Sequence, residues 1–173
     1  SNWGGGEIVQ VLLSHSKNID IQSRNGNSPL IRATIEENTE IIEALLAAGA
    51  DVTIENKNRK TALILAVEEG NQEIVKTLIE AGAPVNLKDK VGDTPLVKAV
   101  KASKPEIVKT LINGDANVDI QDKYGQTAMM IAAEQGNLDI VQILIANSAD
   151  VDIQDEYGQT AMMIAAEQGN LDI

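Results

Sequence analysis

The chain has 173 residues, enough for one domain with a sizeable buried core. Asp and Glu number 26 against 14 Lys and Arg, and the net charge of -12 argues against a polyanion partner, because phosphate backbones are held by clustered cations. There is no Cys, which excludes disulfides, thiolate nucleophiles and Cys-bearing zinc sites, and no apolar run approaches the ~18 residues of a membrane span.

Residues 1–6 read as a tag remnant or linker. Gly4-Gly5-Gly6 is no phosphate cradle, since no strand precedes it and no Lys-Ser/Thr follows. EIVQVLL from Glu7 predicts a helix, with His15 near its C-terminal end on the solvent side. From Thr61 the elements are sharper. ALILAVEE is a short apolar helix that Gly70 can end in the left-handed conformation. Asn71 can cap the next helix, and Glu73 sits in its first turn, where the dipole favours a carboxylate. That helix, QEIVKTLIEA, has apolar pairs at 74, 75, 78 and 79, a stripe wide enough to bury two sides. Gly82 ends it. The following stretches, rich in Asp, Asn, Gly and Lys, read as extended arms with a turn at the tip. Gly26, Gly92, Gly125 and Gly158 recur at one tip position, whereas Arg59 breaks the set and predicts a differently shaped tip.

The pattern repeats. SPL at Ser28, TAL at Thr61, TPL at Thr94, and TAM at Thr127 and Thr160 are spaced 33 residues apart, and so are Ile8-Val9, Ile41-Ile42, Ile74-Val75, Ile107-Val108 and Ile140-Val141. The stretch 118–140 recurs at 151–173 with one change, Lys123 against Glu156, as duplication of a repeat would leave it. The repeats are 23–55, 56–88, 89–121 and 122–154, flanked by partial ones at 7–22 and 155–173. Both ends cut through a repeat, so either a longer array or an ordered part that ends early is expected.

These residues resemble the ankyrin repeat, with its 33-residue period and T-P-L-H-x-A motif; TPLVKA at 94–99 and AGADV at 48–52 are the nearest fits. The resemblance covers the chain from Glu7 onward. It implies an all-α fold: an α-solenoid of stacked helix-turn-helix units with β-turn or hairpin fingers. The family's His is replaced by Ile31, Ile64, Val97, Met130 and Met163. Glu37 and Ser103 replace the inter-helix Gly, and Asp115 and Ser148 stand where Gly49 and Gly82 stand. Pro105 compensates in part, since it suits the first position of a helix.

Catalysis needs a positioned nucleophile, base or metal, and the sequence offers none: His15 is the single His, and no cofactor is expected. DANVDIQ from Asp115 has alternating oxygen ligands, but Ile120 and Gln126 stand where a calcium loop needs Gly and Glu, so it reads as turn chemistry. The pairs Met129-Met130 and Met162-Met163 are expected in the core or in packing between repeats.

The resemblance further implies a protein partner docking on the concave face, through fingertips and first helices. The candidate contact residues are Arg24, Asn25, Lys57, Arg59, Lys60, Lys90, Lys101, Lys123, Tyr124, Gln126, Glu134, Glu156 and Tyr157. The first helices are mostly acidic, with a basic interruption at Lys98 and Lys101. A non-enzymatic interaction module follows, with no nucleic acid, membrane insertion or small-molecule substrate expected. The alternative is the ankyrin region of a larger enzyme or channel, positioning a domain outside this chain. Lack of Cys fits a reducing compartment, so a cytoplasmic setting is expected, with secretion as a bacterial effector the alternative.

Overall fold

The computed structural model describes residues 5–169, which hold ten α-helices and no strand. The chain divides into two compact blocks, Ser1–Pro84 and Val85–Ile173.

The N-terminal block holds α1 (Gly5–His15), α2 (Pro29–Ile35), α3 (Thr39–Ala47), α4 (Ala62–Glu69) and α5 (Gln72–Glu80). Helix α2 pairs with α3 and α4 with α5, while α2 also packs on α4 and α1 on α3. Each first helix starts where a hydroxyl can take up an orphan N–H: Ser28 accepts from Ile31, and Thr61 from Ile64. Each second helix starts on an Asn: Asn38 accepts from Ile41, and Asn71 from Ile74. The core is aliphatic, with Leu30, Ile31, Ile42, Leu63, Ile64, Ile74 and Leu78 fully buried. Gly70 ends α4 at φ 79 as its position predicts, and Glu37 takes the same role after α2 at φ 51.

Asn71 does two jobs. Its Oδ1 caps α5, and its Nδ2 donates to Glu37 Oε2 at 2.9 Å, tying one repeat to the one before. Asn71→Ala removes both and is expected to cost about 1–2 kcal/mol. Urea titration followed by circular dichroism measures it, and an unchanged midpoint would contradict the double role.

The C-terminal block holds α6 (Pro95–Lys101), α7 (Pro105–Asn113), α8 (Ala128–Glu134), α9 (Leu138–Ala146) and α10 (Ala161–Gln168). Helix α6 pairs with α7 and α8 with α9; α8 lies between α6 and α10, and α7 packs on α9. Thr94, Thr127 and Thr160 cap the first helices, and Asn137 caps α9. Lys104 caps α7 without a side-chain bond, and Pro105 at its first turn supplies the helical φ. Ser103, Asp115 and Ser148 hold φ of 52, 65 and 63, each in the left-handed region that favours glycine.

Four of the five positions of the absent His are apolar core: Ile31, Ile64, Val97 and Met130 are at most 1% exposed. At Met130 the thioether accepts the Thr127 N–H at 3.5 Å. The methionine pairs behave differently from each other. Met129 and Met130 are buried as expected, because α10 covers α8; Met162 and Met163 are 77% and 51% exposed, because no helix among the described residues lies beyond α10.

Candidate partner-binding fingertips

Each tip is a five-residue turn closed by two main-chain bonds. In the first, Ser23 N donates to Asn27 O at 3.0 Å and Gly26 N to Ser23 O at 2.9 Å; the same pair recurs from Asn56, Asp89, Asp122 and Asp155. In the last four tips the first side chain completes the turn. Asp122 Oδ1 accepts from Tyr124 N at 2.8 Å and Gln126 N at 3.0 Å, and Asn56, Asp89 and Asp155 act alike.

Arg59 corrects the sequence reading. It takes φ 56, and its N–H donates to Asn56 O at 2.8 Å, so this tip has the shape of the others. The Asn56 side chain binds the N–H groups of Asn58 and Lys60 at 2.9 and 3.1 Å, which holds the turn without a glycine.

Neighbouring tips within a block touch through main chain. Lys57 N donates to Asn25 O at 3.1 Å, and Glu156 N to Tyr124 O at 3.2 Å. A β-carbon on Gly26 would stand 2.8 Å from Lys57 N, and one on Gly125 would stand 2.9 Å from Glu156 N. Behind the tips, side chains bind the backbone of the following repeat: Gln22 Nε2 donates to Glu55 O, Lys88 Nζ to Gln121 O and Gln121 Nε2 to Gln154 O. Asp20 Oδ1 accepts from Asp51 N, Asn86 Oδ1 from Asn117 N, and Asp119 Oδ1 from Asp150 N. The DANVDIQ stretch is thus turn chemistry, as its sequence indicates. Among the described residues no group of three His, Cys, Asp or Glu is placed to hold a metal ion. His15 is exposed, with Nδ1 2.9 Å from the Val11 carbonyl oxygen.

Of the candidate contact residues, Arg24, Asn25, Lys57, Arg59, Lys90, Lys123, Tyr124, Glu156 and Tyr157 are exposed at the tips, and Glu134 is exposed on α8. Lys60 and Gln126 are half-buried, and Lys60 Nζ pairs with Glu68 Oε2 at 2.7 Å. Lys123 Nζ lies 4.7 Å from the centre of the Tyr124 ring, a cation–π contact.

The basic interruption on α6 faces acids. Lys98 Nζ is 2.8 Å from Asp89 Oδ2 and 3.6 Å from Asp93 Oδ2; Lys101 Nζ is 2.7 Å from Asp93 Oδ1 and 3.9 Å from Asp122 Oδ2. All three carboxylates are buried. Burial works to raise the Asp89 carboxyl. The hydrogen bond and charge of Lys98, with the N–H groups of Asp93 and Val91, outweigh it and hold the group below the usual carboxylate range. Asp51 is lowered too, by the hydroxyl and the N–H of Thr53. The aspartates of this network went unassigned in the sequence; the readable signal was a Lys on a first helix that follows a tip with Asp at both ends.

Within each block, helix pairs joined by tight exposed turns define a repeat scaffold. The family model for ankyrin repeats matches in three copies, over residues 1–89, 39–122 and 96–173. The chain belongs to the ankyrin-repeat family, whose members are generally protein–protein interaction modules and typically non-catalytic. A search among curated proteins returns no significant match. No helix among the described residues is long and apolar enough to cross a membrane.

Proposed function

We propose that this chain is a non-catalytic interaction module that holds a protein partner on its fingertips and first helices. One observation carries the reading: a division of labour inside each tip. The first and fourth positions make the turn. The second and third point outward and vary, as Arg24-Asn25, Lys57-Asn58, Lys90-Val91, Lys123-Tyr124 and Glu156-Tyr157. Tyr124 and Tyr157 are 49% and 82% exposed, and neither phenol has a hydrogen-bond partner among the described residues. A large rigid ring with a polar end, left in solvent on a fixed turn, suits a binding contact. Lys101, Gln126 and Glu134 belong to the same face by position. Specificity then comes from side chains on a preorganised frame, with little ordering cost on association.

The test is affinity capture from the native proteome, with the wild-type chain against Tyr124→Ala/Tyr157→Ala/Lys57→Ala and against Lys109→Ala on α7. The expected result is a protein recovered by wild type and Lys109→Ala and reduced about tenfold or more with the triple variant. Equal recovery by all three, with matching circular dichroism, rejects the tips as the binding surface.

A further inference from the structure

We propose that the fingertip cations recognise an acidic segment of the partner protein, with the N-terminal block as the stronger site. This rests on the fingertip reading above and adds the chemistry of the partner.

The chain is acidic, yet four of five tips put a cation at the same exposed second position: Arg24, Lys57, Lys90 and Lys123. In the N-terminal block Arg59 adds a third. Most other cations on the helices are countered locally, as in Arg32–Glu36 at 2.9 Å, Lys76–Glu80 at 3.8 Å and Lys109–Glu106 at 2.8 Å. Arg24 and Lys57 have no ionic partner among the described residues, and the exposed Arg59 meets the half-buried Glu55 at 3.5 Å.

The crowding is built into the frame. The Lys57 N–H bond to Asn25 O, the bond from Asn56 Nδ2 to Asn27 Oδ1 at 3.1 Å, and the close approach at Gly26 hold the two tips together. The backbones that carry Arg24 and Lys57 are therefore fixed side by side. Two exposed cations on adjoining turns suit a chain of carboxylates, and the Arg forks can take carboxylates in two-point contacts. In the C-terminal block the site is weaker, because Lys123 is spent on the Tyr124 ring and Glu156 follows it at the next tip.

An acidic polypeptide fits better than nucleic acid. Behind the N-terminal tips lie Glu36 and Glu37, at the end of α2 and in the turn after it, and Glu68 and Glu69 in the last turn of α4. A phosphate backbone broad enough to spread across them meets repulsion, whereas a single extended chain can be held by the tips alone.

Fluorescence anisotropy of a labelled Asp/Glu-rich peptide, with a double-stranded oligonucleotide as a second probe, tests this on the full chain. The peptide is expected to bind at low salt and to be released at high salt. Arg24→Glu/Lys57→Glu is expected to weaken it about tenfold and Lys90→Glu/Lys123→Glu less, with Arg24→Lys retaining most binding and Lys109→Glu without effect. Unaltered binding by the first reversal variant, with an unchanged melting curve, overturns the proposal. So does absence of peptide binding, or an oligonucleotide that binds as tightly. If the peptide fails while the tyrosine variant still loses its captured partner, only the acidic chemistry is rejected; if both fail, the fingertip reading goes with it.

Discussion

Replacing Lys98 with methionine is expected to destabilise the C-terminal block by roughly 3–5 kcal/mol, the range for removing one partner of a buried ion pair. Methionine keeps the volume of the stem and deletes the charge. The ammonium lies 2.8 Å from Asp89 Oδ2 and 3.6 Å from Asp93 Oδ2, and the side chains involved are 14%, 2% and 7% exposed. Asp89 Oδ1 is already committed to the N–H groups of Val91 and Asp93, so the tip itself leans on the ionised form. Lys109→Met is the control; its exposed pair with Glu106 is worth about 0–1 kcal/mol.

The pH dependence separates charge from packing. In the wild type the folded-state pKa of Asp89 is depressed, so its contribution is present above the unfolded value of about 3.9 and is lost as pH falls through the folded value. In Lys98→Met the lowering charge is gone and burial remains, which pushes the carboxyl upward. Protonating it then relieves the variant. The gap in urea midpoint between wild type and variant is therefore expected to narrow as pH drops toward the carboxylate range. A gap that stays constant with pH would assign the loss to packing and reject the ionic account.

The fold was legible because an ankyrin stack writes its architecture locally. Ser28, Thr61, Thr94, Thr127 and Thr160 each cap the helix that follows by accepting the N–H three residues on, and Gly70 ends α4 within one turn of the residues that predict it. Such signals need only near neighbours in sequence. The charges were harder to read. Lys101 meets Asp93 eight residues back and Asp122 twenty-one residues on, so its surroundings depend on repeat-to-repeat register. Lys60 meets Glu68 over the same eight-residue reach from tip to first helix. Sequence alone placed Lys60 and Lys101 on the tip-and-first-helix face but could not show that carboxylates already engage them. Arg59 misled for another reason: glycine is one way to hold a left-handed turn, and two bonds from Asn56 are a second.

Gly125→Ala and Gly158→Ala are expected to differ by about 1–3 kcal/mol, although the backbone at the two sites is nearly the same. Gly125 has φ 75 and Gly158 has φ 76, so the left-handed penalty of about 1–2 kcal/mol applies to both. Arg59 at φ 56 shows that a tip can carry that penalty and keep its hydrogen bonds. Only the neighbourhood differs. A β-carbon at 125 would meet Glu156 N at 2.9 Å and both Asp155 Cα and carbonyl carbon at 3.1 Å, while at 158 nothing lies within 4 Å. Those atoms are backbone, so no rotamer change clears them. The two tips must move apart, which breaks the Glu156 N–H bond to Tyr124 O and lets the Tyr124 turn shift against Tyr157. Gly125→Ala should thus lower both the urea midpoint and partner capture, and Gly158→Ala the midpoint alone, by the smaller amount. Equal losses of stability would mean that the left-handed turn, and not the contact between fingertips, is what the glycine serves.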